Sequence, residues 1–281
     1  MSPKSFQHLQ GLVVDWAGTV VDYGSRAPAI VFQEIFRQSG VDISFVEARG
    51  PMGLAKRAHI AAVVALPRVA EVWTEVHGRA ATSEDVDDMY QRFLPLQKKT
   101  LENHSELISG VPATMERLRD RGLRIGSTTG YTEELMDVVS PAASEQGFTP
   151  EIVVCSDHVA EGRPAPWMLL RAAEAIDAYP LWSVVKVDDT VPGIVAARNA
   201  GAWSIGITRT GNAVGMSEEE WRACSSTEQA EALSSAEEVL RESGADVVIE
   251  SIADIEPVLE EIDARLNQGE RPTTVSPGDT V

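Results

Sequence analysis

The sequence predicts an α/β fold in which a Rossmann-like parallel sheet forms the core and carries an inserted all-helical cap domain. Three observations support this prediction. Short apolar runs of strand length alternate with helical patterns after residue 107, the first such run ends on Asp15, and the long segment 23–106 shows helical spacing only. Strands that alternate with helices are typical of a parallel sheet covered on both faces.

The apolar runs and the patterns between them place the individual elements. Strands are predicted at 12–14, 123–127, 151–155, 184–187 and 202–207, with a sixth at 246–250. Helices are predicted at 111–120, 133–146, 167–178 and 192–200, and a closing helix at 255–266. The order of these elements makes each helix a crossover between parallel strands.

The helical segment after the first strand reads as a separate domain. The pairs Val31/Ile35 and Phe32/Phe36 recur at helical spacing, and Thr82 followed by Asp85 matches a capping box. We therefore predict a discontinuous core of residues 1–22 and 107–266, a helical cap of residues 23–106, and a disordered tail of residues 267–281. A domain inserted at this point lies over the carboxyl ends of the strands, where open α/β sheets bind ligands.

Composition and charge exclude several classes of protein. The 281 residues are 43% hydrophobic, which excludes a disordered or fibrous chain, and the net charge of −19 opposes binding to nucleic acid or to an anionic membrane. The two cysteines, Cys155 and Cys224, form neither a disulfide framework nor a zinc site. With no signal peptide and no long apolar run, we expect a cytoplasmic protein that acts on a small molecule.

Chemically useful residues follow the predicted strands. Asp15 comes directly after the first strand in a loop whose glycine permits an unusual turn, and a carboxylate there can attack phosphorus. The other strand ends carry Thr128-Thr129-Gly130 and Asp188-Asp189-Thr190, and Arg163 precedes a helix. Each motif alone is also compatible with ordinary turn chemistry. Together they provide a nucleophile, a hydroxyl, a cation and a carboxylate pair, which is the set that Mg²⁺-assisted phosphoryl transfer requires.

These four motifs resemble those of the haloacid dehalogenase-like phosphotransferases. The matching residues are Asp15-x-x-Gly18-Thr19, Thr129-Gly130, Arg163-Pro164-x-Pro166 and Asp188-Asp189. Phosphatases of that superfamily usually carry a second aspartate two positions after the nucleophile, where it protonates the leaving group. This chain has Ala17 at that position. Its leaving group therefore needs no acid there, or the protein is inactive.

A lysine in the predicted cap suggests how the leaving group departs. Lys56 is one of five lysines in the chain, and His59 shares its helix face. An ordinary solvated lysine is the simpler interpretation. The functional alternative is an amine that forms an imine with the substrate and becomes an electron sink, so that a carbon–phosphorus bond breaks to leave an enamine.

The combination of Ala17 and Lys56 resembles one member family, the phosphonoacetaldehyde hydrolases. The resemblance spans most of residues 9–207 and includes the stretches at 14–19, 49–59, 126–132, 162–168 and 198–201. It implies that Lys56 forms the imine, that Asp15 attacks phosphorus, and that Asp15, the Ala17 carbonyl and Asp189 bind Mg²⁺. It further implies that Thr129, Gly130 and Arg163 hold the phosphoryl group, that His59, Tyr131 and Met52 line the cap side, and that the protein is a homodimer.

The chain departs from this family at three positions. Ser25 stands where cysteine is frequent, Gly193 stands where a second motif-four aspartate is frequent, and Ala58 leaves the proton relay near Lys56 unassigned. Asp188 is a candidate to compensate for Gly193. Two alternative functions remain open at this stage, namely a conventional phosphomonoesterase and a non-catalytic protein that senses a phosphorylated metabolite.

Overall fold

The computed structural model describes residues 5–274 and contains one six-stranded parallel sheet in the order β3-β2-β1-β4-β5-β6. The strands are β1 (Gly11–Val14), β2 (Arg124–Thr128), β3 (Val153–Val154), β4 (Val184–Asp188), β5 (Trp203–Ile207) and β6 (Val247–Ile249). The predicted Rossmann-like sheet is confirmed, including its sixth strand. The predicted strand at 151–155 is reduced to two residues because only its end pairs with β2.

Helices cover the sheet and form the insertion. Five lie between β1 and β2 in the insertion, namely α1 (Arg26–Gln38), α2 (Phe45–Arg49), α3 (Lys56–Val64), α4 (Pro67–His77) and α5 (Ser83–Leu101). The remaining ones are α6 (Val111–Asp120), α7 (Glu133–Glu145), α8 (Trp167–Ala175), α9 (Val191–Ala200), α10 (Glu218–Ala223), α11 (Ser226–Glu242) and α12 (Ile255–Asn267). The capping box predicted at Thr82 begins α5, where its side chain accepts a hydrogen bond from the Asp85 N–H.

The insertion has a hydrophobic core of its own. Phe32 stacks on Phe93 with ring centroids 4.7 Å apart, and both lie in a buried cluster with Phe36, Met89 and Trp73. Other clusters pack on the two faces of the sheet. Separate cores are what a two-domain chain of this length requires. The exact limits of 23–106 for the cap stay a prediction.

The register of the sheet determines where the site forms. β1 lies between β2 and β4, so Val14 is paired with Ser127 on one side and with Val187 on the other. The strands that follow β1 therefore lie on both sides of it, β2 and β3 on one side and β4 to β6 on the other. A crevice forms at the carboxyl ends of the strands where the strand order reverses. Asp15 and Asp188 are brought side by side by this register.

The helices of the described residues and the segment after α12 were also compared with the sequence predictions. Among residues 5–274, the helices are too short or too polar to cross a bilayer. The predicted disordered tail of 267–281 differs from the structure at 267–274, because Asn267 ends α12, Arg271 stacks over Trp182 and the Thr273 N–H donates to Asp246 at 3.3 Å. A cation over an indole ring and a buried Pro272 give these residues contacts that their polar composition does not suggest. The rest of the predicted tail, 275–281, lies outside the described residues.

Candidate active site

Asp15 is held at the crevice by the turn that follows β1. Its backbone N–H donates to the Val187 carbonyl at 2.9 Å, and the Trp16 carbonyl then accepts hydrogen bonds from three successive N–H groups. Gly18 has φ of +78°, and a Cβ there would lie 2.2 Å from Asp189 Oδ2. The turn therefore needs glycine at this position both for its conformation and for the close approach of Asp189.

Three buried carboxylates converge beside this turn. Asp15, Asp188 and Asp189 each offer one ligand atom within 4.8 Å of the others. Burial, followed by the charges of Asp15 and Asp188, raises the pKa of Asp189 well above its ordinary value. Asp189 Oδ1 is buried and has no hydrogen-bond partner among the described residues. A cluster of this kind fits a hard divalent cation, which would supply both the missing charge and the missing partner.

Asp188 is occupied by other groups. Lys186 Nζ lies 2.8 Å and Arg163 Nη1 lies 3.2 Å from Asp188 Oδ2, and the Thr190 hydroxyl donates to Oδ1 at 2.7 Å. Burial alone would raise the pKa of Asp188, but the charges of Arg163 and Lys186 keep it below the ordinary value. Asp188 thus balances two buried cations, while Asp189 has the free oxygen.

Gly193 in α9 leaves the space that the Asp188 carboxylate fills. A Cβ at Gly193 would lie 1.9 Å from Asp188 Cγ. Replacing Gly193 with alanine should therefore displace Asp188 from its buried cations and lower the free energy of unfolding by about 2–4 kcal/mol. Thermal unfolding of Gly193→Ala checks this, with Gly50→Ala as the control because its Cβ would meet nothing nearer than 3.8 Å. Equal melting temperatures for the two variants would contradict this interpretation.

Arg163 connects the carboxylates to the end of β2. Its Nη2 donates to Asp15 Oδ1 and, at 2.9 Å, to both the carbonyl and the hydroxyl of Thr128. Thr129 lies beside it, buried, with its hydroxyl accepting the Tyr131 N–H at 3.1 Å. A fixed guanidinium and a hydroxyl facing one carboxylate form a suitable cradle for a phosphoryl group.

The cap closes this crevice with a short segment before α3. The carbonyl of Leu54 lies only 3.1 Å from where a Cβ of Gly130 would be, and Thr190 Oγ1 lies 2.3 Å from where a Cβ of Gly53 would be. The enclosed cavity of about 20 Å³ is lined by the predicted residues Asp15, Ala17, Met52, Lys56, Thr129, Gly130, Tyr131 and Arg163, together with Ser25, Pro28, Gly53 and Thr190. Because this space has room for about one water molecule and for no larger ligand, a ligand enters only when the cap moves.

Lys56 is the first residue of α3 and projects into this cavity. Its side chain is buried, and its Nζ lies 4.9 Å from the Tyr131 ring centroid and 5.7 Å from that of Phe32. Burial lowers the pKa of Lys56 to about 8, although the Asp15 charge opposes the shift. The interpretation of Lys56 as an ordinary solvated lysine is therefore wrong. A buried amine of lowered pKa is the form that attacks carbonyl carbon.

His59 lies one helical turn from Lys56 and is a neutral imidazole. Its ring stacks on Phe32 with centroids 3.8 Å apart, and its Nε2 lies 2.8 Å from the Ala48 carbonyl. A carbonyl only accepts, so the proton is on Nε2 and Nδ1 keeps its lone pair. Nδ1 is buried and without a partner in the described part of the chain. Burial and the Lys56 charge lower the pKa of His59 to about 3, so the ring stays neutral at physiological pH.

Tyr131 supplies an uncharged hydroxyl on the opposite side of Lys56. Its phenol oxygen is buried and has no partner within residues 5–274. Burial, together with the Asp22 and Asp15 charges, raises the pKa of Tyr131 well above its ordinary value, so the hydroxyl keeps its proton. Met52 is also buried and lines the cavity wall. The structure thus brings all the predicted site residues but two to the lining of one cavity. Asp189 lies in the carboxylate cluster with Asp15, and His59 is buried within the cap, one helical turn from Lys56.

Three residues that support the site had no role assigned to them individually from the sequence, although Thr190 belongs to a quoted motif. Lys186 is buried inside β4 as a partner of Asp188, Thr190 lines the cavity, and the Asn212 N–H donates to Asp189 Oδ2 at 2.7 Å. A lysine inside an otherwise apolar strand was a visible signal for Lys186. Asn212 acts through its backbone, so its residue type gave no comparable signal.

The sheet, the helical insertion and the four strand-end motifs define a class of phosphoryl-transfer enzymes. Residues 9–201 match the family model described as haloacid dehalogenase-like hydrolase. That match covers both the sheet and the insertion, in agreement with the resemblance stated from the motifs.

Comparison with individual proteins narrows this class. The chain is 46% identical to a phosphonoacetaldehyde hydrolase of Paraburkholderia xenovorans and 45% identical to one of Paraburkholderia phytofirmans, with 95% of this chain and 100% of each relative covered. The solved structure of a phosphonoacetaldehyde hydrolase-like protein from Oleispira antarctica superposes with a TM-score of 0.93 at 38% identity, over 97% of this chain and 99% of that one. The chain belongs to the phosphonoacetaldehyde hydrolase family of the haloacid dehalogenase-like hydrolases.

Proposed function

We propose that this protein hydrolyses the carbon–phosphorus bond of phosphonoacetaldehyde to acetaldehyde and phosphate, through a Lys56 imine and an Asp15 phosphate intermediate. The observation that carries the proposal is the pairing of a buried Lys56 of lowered pKa with Asp15 and Arg163 in one closed cavity. The names of the close relatives support the same substrate.

The first step uses Lys56 as a nucleophile. Its neutral amine adds to the aldehyde carbon and water leaves, and the imine nitrogen takes up one proton to give a protonated imine. Because the surrounding rings of Phe32 and Tyr131 exclude water, the imine is protected from early hydrolysis. The imine then provides a place for the electron pair of the carbon–phosphorus bond.

The second step transfers the phosphoryl group to Asp15. A carboxylate oxygen forms a bond to phosphorus, the carbon–phosphorus bond breaks, and its electrons convert the imine to an enamine. Arg163, Thr129 and the Gly130 backbone hold the phosphoryl oxygens. Mg²⁺, when bound by Asp15, Asp189 and the Ala17 carbonyl, would offset the negative charge that gathers here.

The remaining steps restore the enzyme. Water attacks phosphorus and releases phosphate from Asp15, while the enamine gains a proton on carbon and water hydrolyses the imine to acetaldehyde and free Lys56. The net reaction consumes one water. The lone pair of His59 Nδ1 and the protonated Tyr131 hydroxyl are the buried groups next to Lys56 that can exchange these protons.

A conventional phosphomonoesterase is the competing function. An alkoxide leaving group needs an acid, and the position that would supply one is Ala17, whose side chain carries no proton to give. An enamine leaves without such an acid. The same comparison disfavours a non-catalytic sensor, since recognition of a phosphorylated metabolite needs neither Lys56 nor a nucleophilic Asp15.

The pH dependence of imine formation follows from the pKa of Lys56. The neutral amine is the attacking form, so the rate of imine formation should rise with pH and level off above about pH 9, given a pKa of about 8. Between about pH 7 and pH 9 the rise should be roughly tenfold. Reductive trapping with labelled acetaldehyde and borohydride measures it. A rate that keeps rising toward the ordinary lysine value of 10.5 would contradict the assignment.

The same trapping reaction tests the proposed function itself. Borohydride should fix one aldehyde-derived adduct on the peptide that contains Lys56, which mass spectrometry locates. An adduct elsewhere, or none, would leave the imine mechanism without support. Residence in the cytoplasm and assembly into a homodimer stay predictions.

A further inference from the structure

We propose that Arg49 and Asn212 form a cap–core latch that holds Lys56 over Asp15, and that both act as positioning residues for the reaction. We call this pair the Arg49–Asn212 latch. The proposal rests on the proposed function, because its purpose is to keep the imine-forming amine beside the nucleophile.

Arg49 and Asn212 are joined by two hydrogen bonds, one donated by each residue. Arg49 Nε donates to Asn212 Oδ1 at 3.1 Å, and Asn212 Nδ2 donates back to the Arg49 carbonyl at 3.4 Å. Arg49 ends α2 of the cap, seven residues before Lys56, whereas Asn212 belongs to the core loop after β5. One amide therefore fixes both the side chain and the backbone of the cap segment that leads into α3.

The Arg49 guanidinium fills a space in the core that Gly215 leaves open. A Cβ at Gly215 would lie 1.4 Å from Arg49 Nη1, so the guanidinium occupies the space that any larger residue at 215 would take. The Phe45 ring centroid lies 5.4 Å from Arg49 Cζ and closes the other side. Burial lowers the pKa of Arg49 to about 10, so it stays charged at physiological pH. Its hydrogen bond to Asn212 is therefore charge-assisted.

The latch also meets the carboxylate cluster. The backbone N–H of Asn212 donates to Asp189 Oδ2. The residue that binds Arg49 of the cap therefore also orients Asp189. A cavity of about 330 Å³ lies between cap and core at this edge, and Arg49, Met52, Asp189 and Asn212 are among its lining residues. Without the latch, the cap would open at this edge and water would reach Lys56.

A double-mutant cycle tests the coupling. The variants are Arg49→Met, which keeps the packing volume on Phe45, Asn212→Ala, which keeps the backbone contact to Asp189, and the double variant. Each single variant should lose roughly 10- to 100-fold in kcat/KM, the range expected for one charge-assisted hydrogen bond. The double variant should lose no more than the worse single one, since the interaction is already absent. Arg37→Ala is the control, because Arg37 is exposed and its ion pair is with Glu34 of its own helix.

A second readout needs no substrate. Amine-labelling of the free enzyme, followed by mass spectrometry, gives the rate at Lys56 relative to exposed Lys99. Breaking the latch should raise this ratio about tenfold, while the melting temperature stays within a few degrees of the wild type. A general loss of stability would instead lower the melting temperature of the variants.

The outcomes separate the latch from the proposed function. Losses that multiply in the double variant, or a Lys56 labelling ratio equal to that of Arg37→Ala, would overturn the latch. If Arg49→Met does not fold, the labelling ratio of Asn212→Ala alone decides whether the latch holds the cap closed. Failure of the wild type to release acetaldehyde would overturn the proposed function, while the labelling ratio would still report whether the pair holds the cap closed.

Discussion

Replacing Lys56 with arginine is expected to lower the release of acetaldehyde and phosphate by roughly 10⁴-fold or more, the scale of losing a covalent catalytic group. Arginine keeps the positive charge and similar length, but its guanidinium does not deprotonate in proteins and forms no imine. In the cavity, Lys56 forms no ion pair with a carboxylate of the described residues, and its Nζ lies 4.9 Å from the Tyr131 ring centroid. The amine is therefore positioned for reaction with a small carbonyl compound, and charge alone cannot replace it.

The measurement is product release from phosphonoacetaldehyde by Lys56→Arg, with Lys98→Arg as the control. The Lys98 side chain is 44% exposed and its Nζ lies 3.7 Å from Glu134 Oε1, so this control should retain full activity. Borohydride should trap the aldehyde on the control and not on Lys56→Arg. Activity of Lys56→Arg within tenfold of the wild type would remove the imine from the mechanism.

Replacing Asp15 with asparagine should stop phosphate release by a similar factor, yet leave imine formation intact. The amide does not attack phosphorus, and it no longer balances the charge of Arg163. The negative charge of Asp15 raises the pKa of Lys56, so its removal favours the neutral amine that forms the imine. The two chemical steps therefore separate in this variant.

Phosphate assay and borohydride trapping on Asp15→Asn measure the two steps. The matched control is Asp87→Asn, which changes an exposed carboxylate paired with Arg57 on the cap surface. Loss of trapping together with loss of phosphate release would mean that Asp15 also supports the imine step. Retained phosphate release would mean that another group is the nucleophile.

The parts of the site that follow strands could be predicted from the sequence. Asp15, Thr129 and Asp189 each follow an apolar run, and parallel strands deliver such residues to one edge of the sheet. Neighbouring strands then fix their spacing, because the register pairs Val14 with both Ser127 and Val187. This part of the prediction needed only periodicity and strand order.

The parts that depend on contacts between distant loops could not be predicted. The tautomer of His59 is set by the Ala48 carbonyl, and Arg49 meets Asn212 across 163 positions of sequence. Neither contact produces a periodic pattern in the sequence. The sequence also suggested Asp188 as a substitute for an aspartate at 193, but only the structure shows that two buried cations already engage its carboxylate.

The helices after β5 likewise include one that could be predicted from the sequence and one that could not. The acidic run Glu218-Glu219-Glu220 after Ser217 predicts a helix start, and α10 begins there with a capping box. The longer helix α11 was not predicted, although Ser225 and Glu228 form the same capping box at its start. Its interior is mostly polar and buries only Ala236 and Leu240, so hydrophobic periodicity was too weak to reveal it.

The most direct test of the account is the release of acetaldehyde and phosphate from phosphonoacetaldehyde, measured with and without Mg²⁺ beside a simple phosphate ester. The account predicts equal amounts of the two products, dependence on Mg²⁺, and no turnover of the ester. Ester turnover without acetaldehyde would contradict it, since the crevice of Asp15 and Arg163 would then serve a phosphatase and Lys56 would have no chemical role.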